Sequence, residues 1–199
     1  PITPGPPADP RIATLAAPAV PLIATDPYFQ IYSPRGRLNE RTTVAGTDGM
    51  EQQLSAIAFI EGQAWQLIGP VEPGAVAAAQ LSVVVYPTRT VYQMLCGEPP
   101  RQSVVTVTFM SPQLPSNLTI MARPASYLTF QTPSSTGSVR VYVDISSEVA
   151  GVAPKSSGHS KVVCDSNTTE TGLGWAWLGN AATQKTPIPC RDPSAKTCW

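Results

Sequence analysis

Apolar and polar residues alternate along much of the middle of this chain, which is the pattern of a half-buried β-strand. The clearest case is the segment at residues 138–145. Its alternation predicts one strand whose odd-numbered side chains face inward and whose even-numbered side chains face outward. The predicted inward set is Val139, Val141, Val143 and Ile145, and the outward set is Arg140, Tyr142 and Asp144.

Further strands are predicted where β-branched and aromatic residues cluster between proline and glycine turns. They cover residues 28–32, 54–60, 64–68, 81–86, 89–95, 103–110, 118–122 and 127–131. The segments 54–60 and 64–68 form a hairpin around a three-residue turn, in which Gly62 supplies a positive φ. One short helix is predicted at residues 74–80. Short strands at this spacing indicate an all-β fold, an antiparallel β-sandwich.

Composition excludes several other classes of protein. The chain has 22 prolines among 199 residues, which argues against a helical bundle because each interior proline removes a helical hydrogen bond. It has 13 basic and 13 acidic residues, so the formal net charge is zero and no basic patch that would bind nucleic acid or an anionic membrane is indicated. No apolar run reaches the roughly 18 residues of a membrane-spanning helix, so no membrane insertion is predicted.

The sequence divides into three parts by composition. Residues 1–22 carry seven prolines among small residues and predict an extended arm, either flexible or paired with the edge of a sheet. Residues 23–152 carry the strand patterns of the sandwich. Residues 153–199 begin as a Ser/Gly-rich loop and continue as a tail that holds three cysteines and three tryptophans. We expect that tail to be tied by disulfides and packed on the sandwich.

Four cysteines are present, Cys96, Cys164, Cys190 and Cys198, and none forms a C-x-x-C pair. Because His159 is the single histidine, a zinc site is not favoured, and no cofactor is predicted. Two disulfides are the preferred interpretation, and four cysteines allow three pairings. We favour Cys190 with Cys198 and Cys96 with Cys164.

Two N-glycosylation triplets begin at Asn117 and Asn167. The triplets and the even number of cysteines both suit an oxidising compartment. The sequence therefore predicts a secreted, extracellular glycoprotein that carries covalent glycans.

Candidates for chemistry are few. His159 lies in a Ser/Gly-rich segment and is interpreted as a solvated loop residue. Asp144 and Glu148 could act as paired carboxylates of a glycosidase, but a solvated strand end is the preferred interpretation. Trp175 and Trp177 share one face of a predicted strand, where they either pack internally or stack on sugar rings. No catalytic residue is assigned, and the sequence does not favour an enzyme.

Several blocks, in order, resemble the N-terminal region of microbial glutaminase A-type secreted proteins. They are DPYFQIYSP (26–34), RLNERTT (37–43), IAFIEGQAWQLIG (57–69), YPTRTVY (86–92), VTVTFMSP (105–112), RPASYLTF (123–130) and VYVDISSE (141–148). The resemblance implies a β-sandwich domain of a secreted protein. In that family the sandwich precedes a larger helical-barrel domain that is thought to hold the catalytic carboxylates, and these 199 residues do not include it.

Three functions are left open by the sequence. The first is a non-catalytic structural or assembly subunit that self-associates, with the N-terminal arm adding to a neighbour as a route to polymers. The second is the accessory domain of a secreted amidohydrolase of the glutaminase A type. The third is a carbohydrate-binding module that uses Trp175 and Trp177.

Overall fold

The computed structural model describes residues 19–25, 29–46, 49, 51–123, 125–133 and 139–146, and the backbone of two strands between residues 162 and 180. The chain separates into two compact units, Pro1–Ser146 and Ser147–Trp199.

Nearly all of the regular secondary structure in the described part of the first unit is β-strand. Its strands are β1 (Val20–Ala24), β2 (Gln30–Ser33), β3 (Val44–Ala45), β4 (Leu54–Ile60), β5 (Gln63–Ile68), β6 (Val76–Ala77), β7 (Ala79–Tyr86), β8 (Arg89–Cys96), β9 (Ser103–Met110), β10 (Tyr127–Gln131) and β11 (Val139–Ile145). One short helix, α1 (Leu118–Met121), lies between β9 and β10.

Two four-stranded sheets pack as a sandwich, which confirms the predicted fold class. One sheet has the order β10-β9-β8-β7 and is antiparallel throughout. The other has the order β11-β4-β5-β6, with a short parallel pairing of β5 and β6. Their inner faces supply most of the core: Leu54, Ala56, Ala58, Ile60, Trp65 and Leu67 from one sheet, and Tyr92, Met94, Cys96, Val105, Val107 and Phe109 from the other.

A third sheet, β1-β2-β3, contains the end of the predicted N-terminal arm. Val20 and Leu22 are buried in β1, although both were placed in the arm by composition. The Thr90 hydroxyl donates to the Pro21 carbonyl at 2.6 Å, and the Ala24 amide donates to Ser111 Oγ at 3.0 Å. The last residues of the Pro-rich segment are therefore part of the folded body.

The β4–β5 hairpin is present, but its turn has two residues rather than three. Glu61 and Gly62 both have positive φ, 50° and 83°, and β5 already begins at Gln63. Two consecutive positive φ values match the twist of a tight hairpin, so the third residue joins the strand.

Two short segments have the opposite structure to the one predicted. Residues 118–122 were predicted as a strand, but Leu118–Met121 is helical because Asn117 Oδ1 accepts a hydrogen bond from the Ile120 amide as an N-cap. Residues 74–80 were predicted as a helix, but Val76–Ala77 pairs with β5 and β7 begins at Ala79. A side-chain cap in the first segment and strand pairing in the second outweigh weak propensity.

Strand β11 forms at the predicted place, yet its predicted inward side chains are not buried. It pairs with β4 alone among the described residues, and Val141 and Val143 lie opposite the buried Ala58 and Ala56. They occupy the inner face at its rim, where the opposing sheet does not cover them. The prediction that they face the core is right about the face and wrong about burial.

The described backbone of the second unit is an antiparallel hairpin of β12 (Val162–Thr168) and β13 (Gly174–Asn180). It falls in the segment predicted as a loop and tail. No helix among the described residues is long and apolar enough to cross a membrane.

Candidate functional site

The residues predicted from sequence to carry chemistry are scattered. Asp144 is exposed on β11, whereas Glu148 and His159 lie outside the described residues. Trp175 and Trp177 both lie in β13, as the strand prediction requires, but their side chains lie outside the described part. Ligand stacking by these two tryptophans therefore stays a prediction.

Cys96 is a buried free thiol at the end of β8. Burial raises its pKa to about 12, so at neutral pH it is protonated and a poor nucleophile. The side chains of Cys164, Cys190 and Cys198 lie outside the described residues. The pairing of Cys96 with Cys164, and that of Cys190 with Cys198, therefore stays a prediction.

Asn117 lies on the surface at the start of α1. Its Oδ1 is used by the Ile120 amide at 3.1 Å, which leaves the side-chain nitrogen for attachment of a glycan. Asn167 lies in β12, where the side chain is outside the described part. Glycosylation at both positions stays a prediction.

A cleft of about 400 Å³ opens at one end of the sandwich, between the β4–β5 turn and the loop between β8 and β9. Trp65 contributes to its wall, and the Arg101 guanidinium and Glu61 carboxylate meet across it at 3.3 Å. This ion pair is exposed, so it contributes at most about 1 kcal/mol to stability. Its residues could bind a small polar molecule, but they do not place a nucleophile beside a base.

A second cleft, of about 280 Å³, lies between β1 and the β7–β8 turn. Arg89 stacks on the ring of Tyr86 at 4.7 Å, at its rim. Ser111 Oγ, in the wall, lies 3.2 Å from Ser126 Oγ, which in turn lies 3.1 Å from Thr25 Oγ1. These hydroxyls tie the end of β1 to the sandwich, and none has a basic side chain as a hydrogen-bond partner among the described residues. The cluster is structural.

Buried polar groups elsewhere also serve the fold. The Gln66 side-chain amide donates to Ser55 Oγ and to the Ile68 carbonyl, and the Asn39 amide donates to two backbone carbonyls. Within the described chain, no three Asp, Glu, His or Cys side chains are grouped as metal ligands.

Among the described strands, β11 carries the largest number of exposed large apolar side chains. Their exposed fractions are 37% for Val141, 55% for Tyr142, 39% for Val143 and 44% for Ile145. We call these four side chains, with the backbone of β11 that faces away from β4, the β11 edge. The alternation of apolar and polar residues predicts the strand, but it does not show whether the opposing sheet extends far enough to cover its inner face.

The C-terminal half of the chain matches a known family. Residues 88–187 match the family model described as a domain of unknown function, DUF5127. The match begins just before β8 and runs through β13. No curated protein and no solved structure is significantly similar to the chain.

Proposed function

We propose, from the premise that this chain belongs to the family of domains of unknown function DUF5127, that it is a non-catalytic extracellular β-sandwich that acts as a structural or assembly subunit. The observation that carries the proposal is the β11 edge. Natural sandwiches protect a long edge strand with prolines, bulges or a covering element, because an open edge pairs with other chains. β11 pairs with β4 in unbroken register over seven residues, with apolar side chains exposed at its rim.

Chemistry at the β11 edge favours a protein partner. Val141, Val143 and Ile145 form an apolar row, and beside it lies the edge of β11 that pairs with no other described strand and offers backbone donors and acceptors. Backbone pairing supplies affinity in strand addition, and alternating side chains supply specificity. Self-association through this surface, or through the N-terminal arm, would make the chain a building block.

The native mass of the full chain, measured by sedimentation over a range of concentrations, tests the proposal. We expect a species larger than the monomer whose fraction grows with concentration. A monomer at every concentration would refute the assembly function. A variant lacking residues 1–18, which leaves β1 intact, then separates the routes: assembly that depends on the arm falls in this variant, and an unchanged mass removes the arm as the route.

Localisation has its own test. In a secreted preparation, intact mass with and without a glycosidase and a reductant should report covalent glycans and disulfides. A chain that carries neither would contradict the extracellular part of the proposal.

A second candidate is an accessory domain of a secreted amidohydrolase of the glutaminase A type. It is favoured by the correspondence between the resembling blocks and the strands: the blocks at residues 57–69, 86–92, 105–112 and 123–130 fall on β4–β5, β7–β8, β9 and β10. Sequencing the transcript beyond Trp199 tests it. An open reading frame that continues into a helical domain supports this function, and a stop codon directly after Trp199 removes it.

The carbohydrate-binding alternative rests on Trp175 and Trp177 in β13. A glycan array screened with the wild type and with a variant in which both residues are alanine decides it. Binding that is lost in the variant supports the function, and a wild type that binds no glycan contradicts it.

A further inference from the structure

Among the described residues β11 pairs only with β4, and this pairing shows which backbone groups of β11 point to the opposite edge. The Ser146 amide donates to the Gln53 carbonyl at 2.8 Å, which makes Ser146 and Gln53 a hydrogen-bonded pair at the end of the ladder. In an antiparallel ladder such pairs alternate with non-hydrogen-bonded ones. The backbone groups of Asp144, Tyr142 and Arg140 therefore also point toward β4.

The odd-numbered residues of β11 consequently direct their N–H and C=O groups away from β4. A second contact agrees with this parity: the Leu54 amide, opposite Ile145, donates to Thr43 Oγ1 at 3.1 Å rather than to β11. Val139, Val141, Val143 and Ile145 thus present the backbone groups that a new strand would use, and the last three of them also form the exposed apolar row.

The sequence of β11, VRVYVDI, complements itself when it runs antiparallel to a second copy about Tyr142. In that register Arg140 lies opposite the partner's Asp144, and Asp144 lies opposite the partner's Arg140. Val141 faces the partner's Val143, and Val139 faces the partner's Ile145. All seven residues are paired, and the opposite charges coincide at both ends.

The alternation of outward-pointing backbone N–H and C=O groups along β11 allows this register. It places the odd-numbered residues, whose N–H and C=O groups face the edge, in hydrogen-bonded pairs. It places Tyr142 and the two charged pairs at non-hydrogen-bonded positions, where side chains approach most closely. A slip of two residues along the partner would set Arg140 opposite the partner's Tyr142 and leave the end residues unpaired.

The charged pairs are free to form. Asp144 is exposed and has no ion-pair partner within the described chain, and the Arg140 guanidinium rests 5.7 Å from the centre of the Phe59 ring on the outer face of the sheet. Arg140 can keep this stacking while it reaches a carboxylate on the neighbouring strand. On the inner face, the apolar rows of the two strands then lie side by side.

We propose that the β11 edge binds the β11 edge of a second copy of this chain about a two-fold axis at Tyr142, which joins the two β11-β4-β5-β6 sheets into one continuous eight-stranded sheet. This closed, isologous dimer rests on the proposed assembly function and names the surface and register that carry it.

Charge reversal tests the register. The single variants Arg140→Asp and Asp144→Arg each place like charges opposite each other at both ends, whereas the double variant restores two opposite-charge pairs with their order exchanged. Because each change occurs twice in the dimer, we expect the dissociation constant of each single variant to rise about 10- to 100-fold. The double variant should return to within about 3-fold of the wild type.

The measurement is sedimentation of the full chain, with circular dichroism to confirm folding. Arg89→Asp is the matched control, since it reverses an exposed arginine in a strand of the other sheet and should leave dimerisation unchanged. A dimer unaffected by either single reversal, or one that the double variant does not restore, overturns the β11 register and leaves the assembly function standing. A chain that is monomeric throughout overturns both.

A cross-link gives independent evidence. In this register the two copies of residue 142 form a non-hydrogen-bonded pair with Cα atoms about 4.5 Å apart, within the range of a disulfide. Tyr142→Cys should therefore form a covalent dimer on mild oxidation, with the bond mapped to residue 142 of both copies by peptide mass spectrometry. Arg140→Cys is the control, because the two copies of residue 140 lie about 13 Å apart. Equal cross-linking of the two variants would contradict the register.

Discussion

Replacing Gly97 with alanine should destabilise the sandwich more than replacing either Gly62 or Gly36 with alanine. Gly97 follows β8 with a φ of +95°, a region that side-chain-bearing residues rarely adopt. A Cβ atom built at this position would lie 2.2 Å from the carbonyl oxygen of Arg101. The obstacle is backbone rather than a flexible side chain, so the loop between β8 and β9 must move.

Two contributions set the magnitude. The left-handed backbone costs roughly 1–3 kcal/mol for a residue with a Cβ. Displacing the Arg101 carbonyl adds a packing cost of roughly 1–3 kcal/mol. We therefore expect Gly97→Ala to lower the free energy of unfolding by about 3 kcal/mol or more, and the melting temperature by about 10 °C for a chain of this size.

Two control glycines separate these contributions. Gly62 has a φ of +83° and open space around the added Cβ, so Gly62→Ala should cost about 1–2 kcal/mol from backbone conformation alone. Gly36 has open space and no positive φ, so Gly36→Ala should lie within about 0.5 kcal/mol of the wild type. Urea unfolding followed by circular dichroism gives the three values. A Gly97→Ala variant no less stable than Gly62→Ala would refute the close approach of Gly97 to Arg101.

Three further predictions concern single side chains. Tyr92 is buried, and burial raises the pKa of its hydroxyl, which lies near the Ser33 side chain but meets no acceptor or donor with hydrogen-bond geometry in the described part of the chain. Tyr92→Phe should therefore equal or exceed the wild type in stability by up to about 1–2 kcal/mol, whereas the exposed control Tyr127→Phe should not change it. A clear loss of stability in urea unfolding would mean that the hydroxyl is bonded to Ser33. In the presence of a reductant, the Cys96 thiol should resist alkylation at pH 8 in the folded protein and react after denaturation, as read from its peptide by mass spectrometry. The folded pKa of Cys96, about 12, lies above its ordinary value of 9.0, so the unfolded chain loses this proton at lower pH than the folded chain. The contribution of Cys96 to stability is therefore full below pH 9 and declines between pH 9 and 12. Cys96→Ala should lack that decline. In a secreted preparation, Asn117→Gln and Thr119→Val should each remove the mass of one glycan. Only Asn117→Gln also removes the N-cap of α1, which should lower the stability of that variant by about 1 kcal/mol. Equal thermal stability of the two variants would contradict the capping role.

The sequence predicted most of the sandwich because period-two alternation is a local signal. Strands β4, β9 and β10 have the predicted bounds, and β7 and β8 differ by at most two residues at an end. The misses have local causes: the Asn117 cap makes helix where propensity favoured strand, and positive φ at both Glu61 and Gly62 shortens a turn.

The candidate site was less accessible to sequence reasoning. Alternation in β11 identifies which residues share a face, but whether Val141 and Val143 are covered depends on how far the opposing sheet extends. The sequence VRVYVDI carries an arginine near one end and an aspartate near the other, so two antiparallel copies can pair opposite charges. This matters for association only because β11 is an edge strand among the described strands, which the sequence does not show. Likewise, the approach of Gly97 to Arg101 is a matter of loop geometry that spacing does not specify.

The most direct test of association through β11 is the dimer dissociation constant of the full chain, measured by sedimentation for the wild type, Arg140→Asp, Asp144→Arg and the double variant. We expect a dimer that each single reversal weakens and the double reversal restores. A dimer that is insensitive to all three variants, or a wild type that stays monomeric as its concentration rises, would contradict association through this strand.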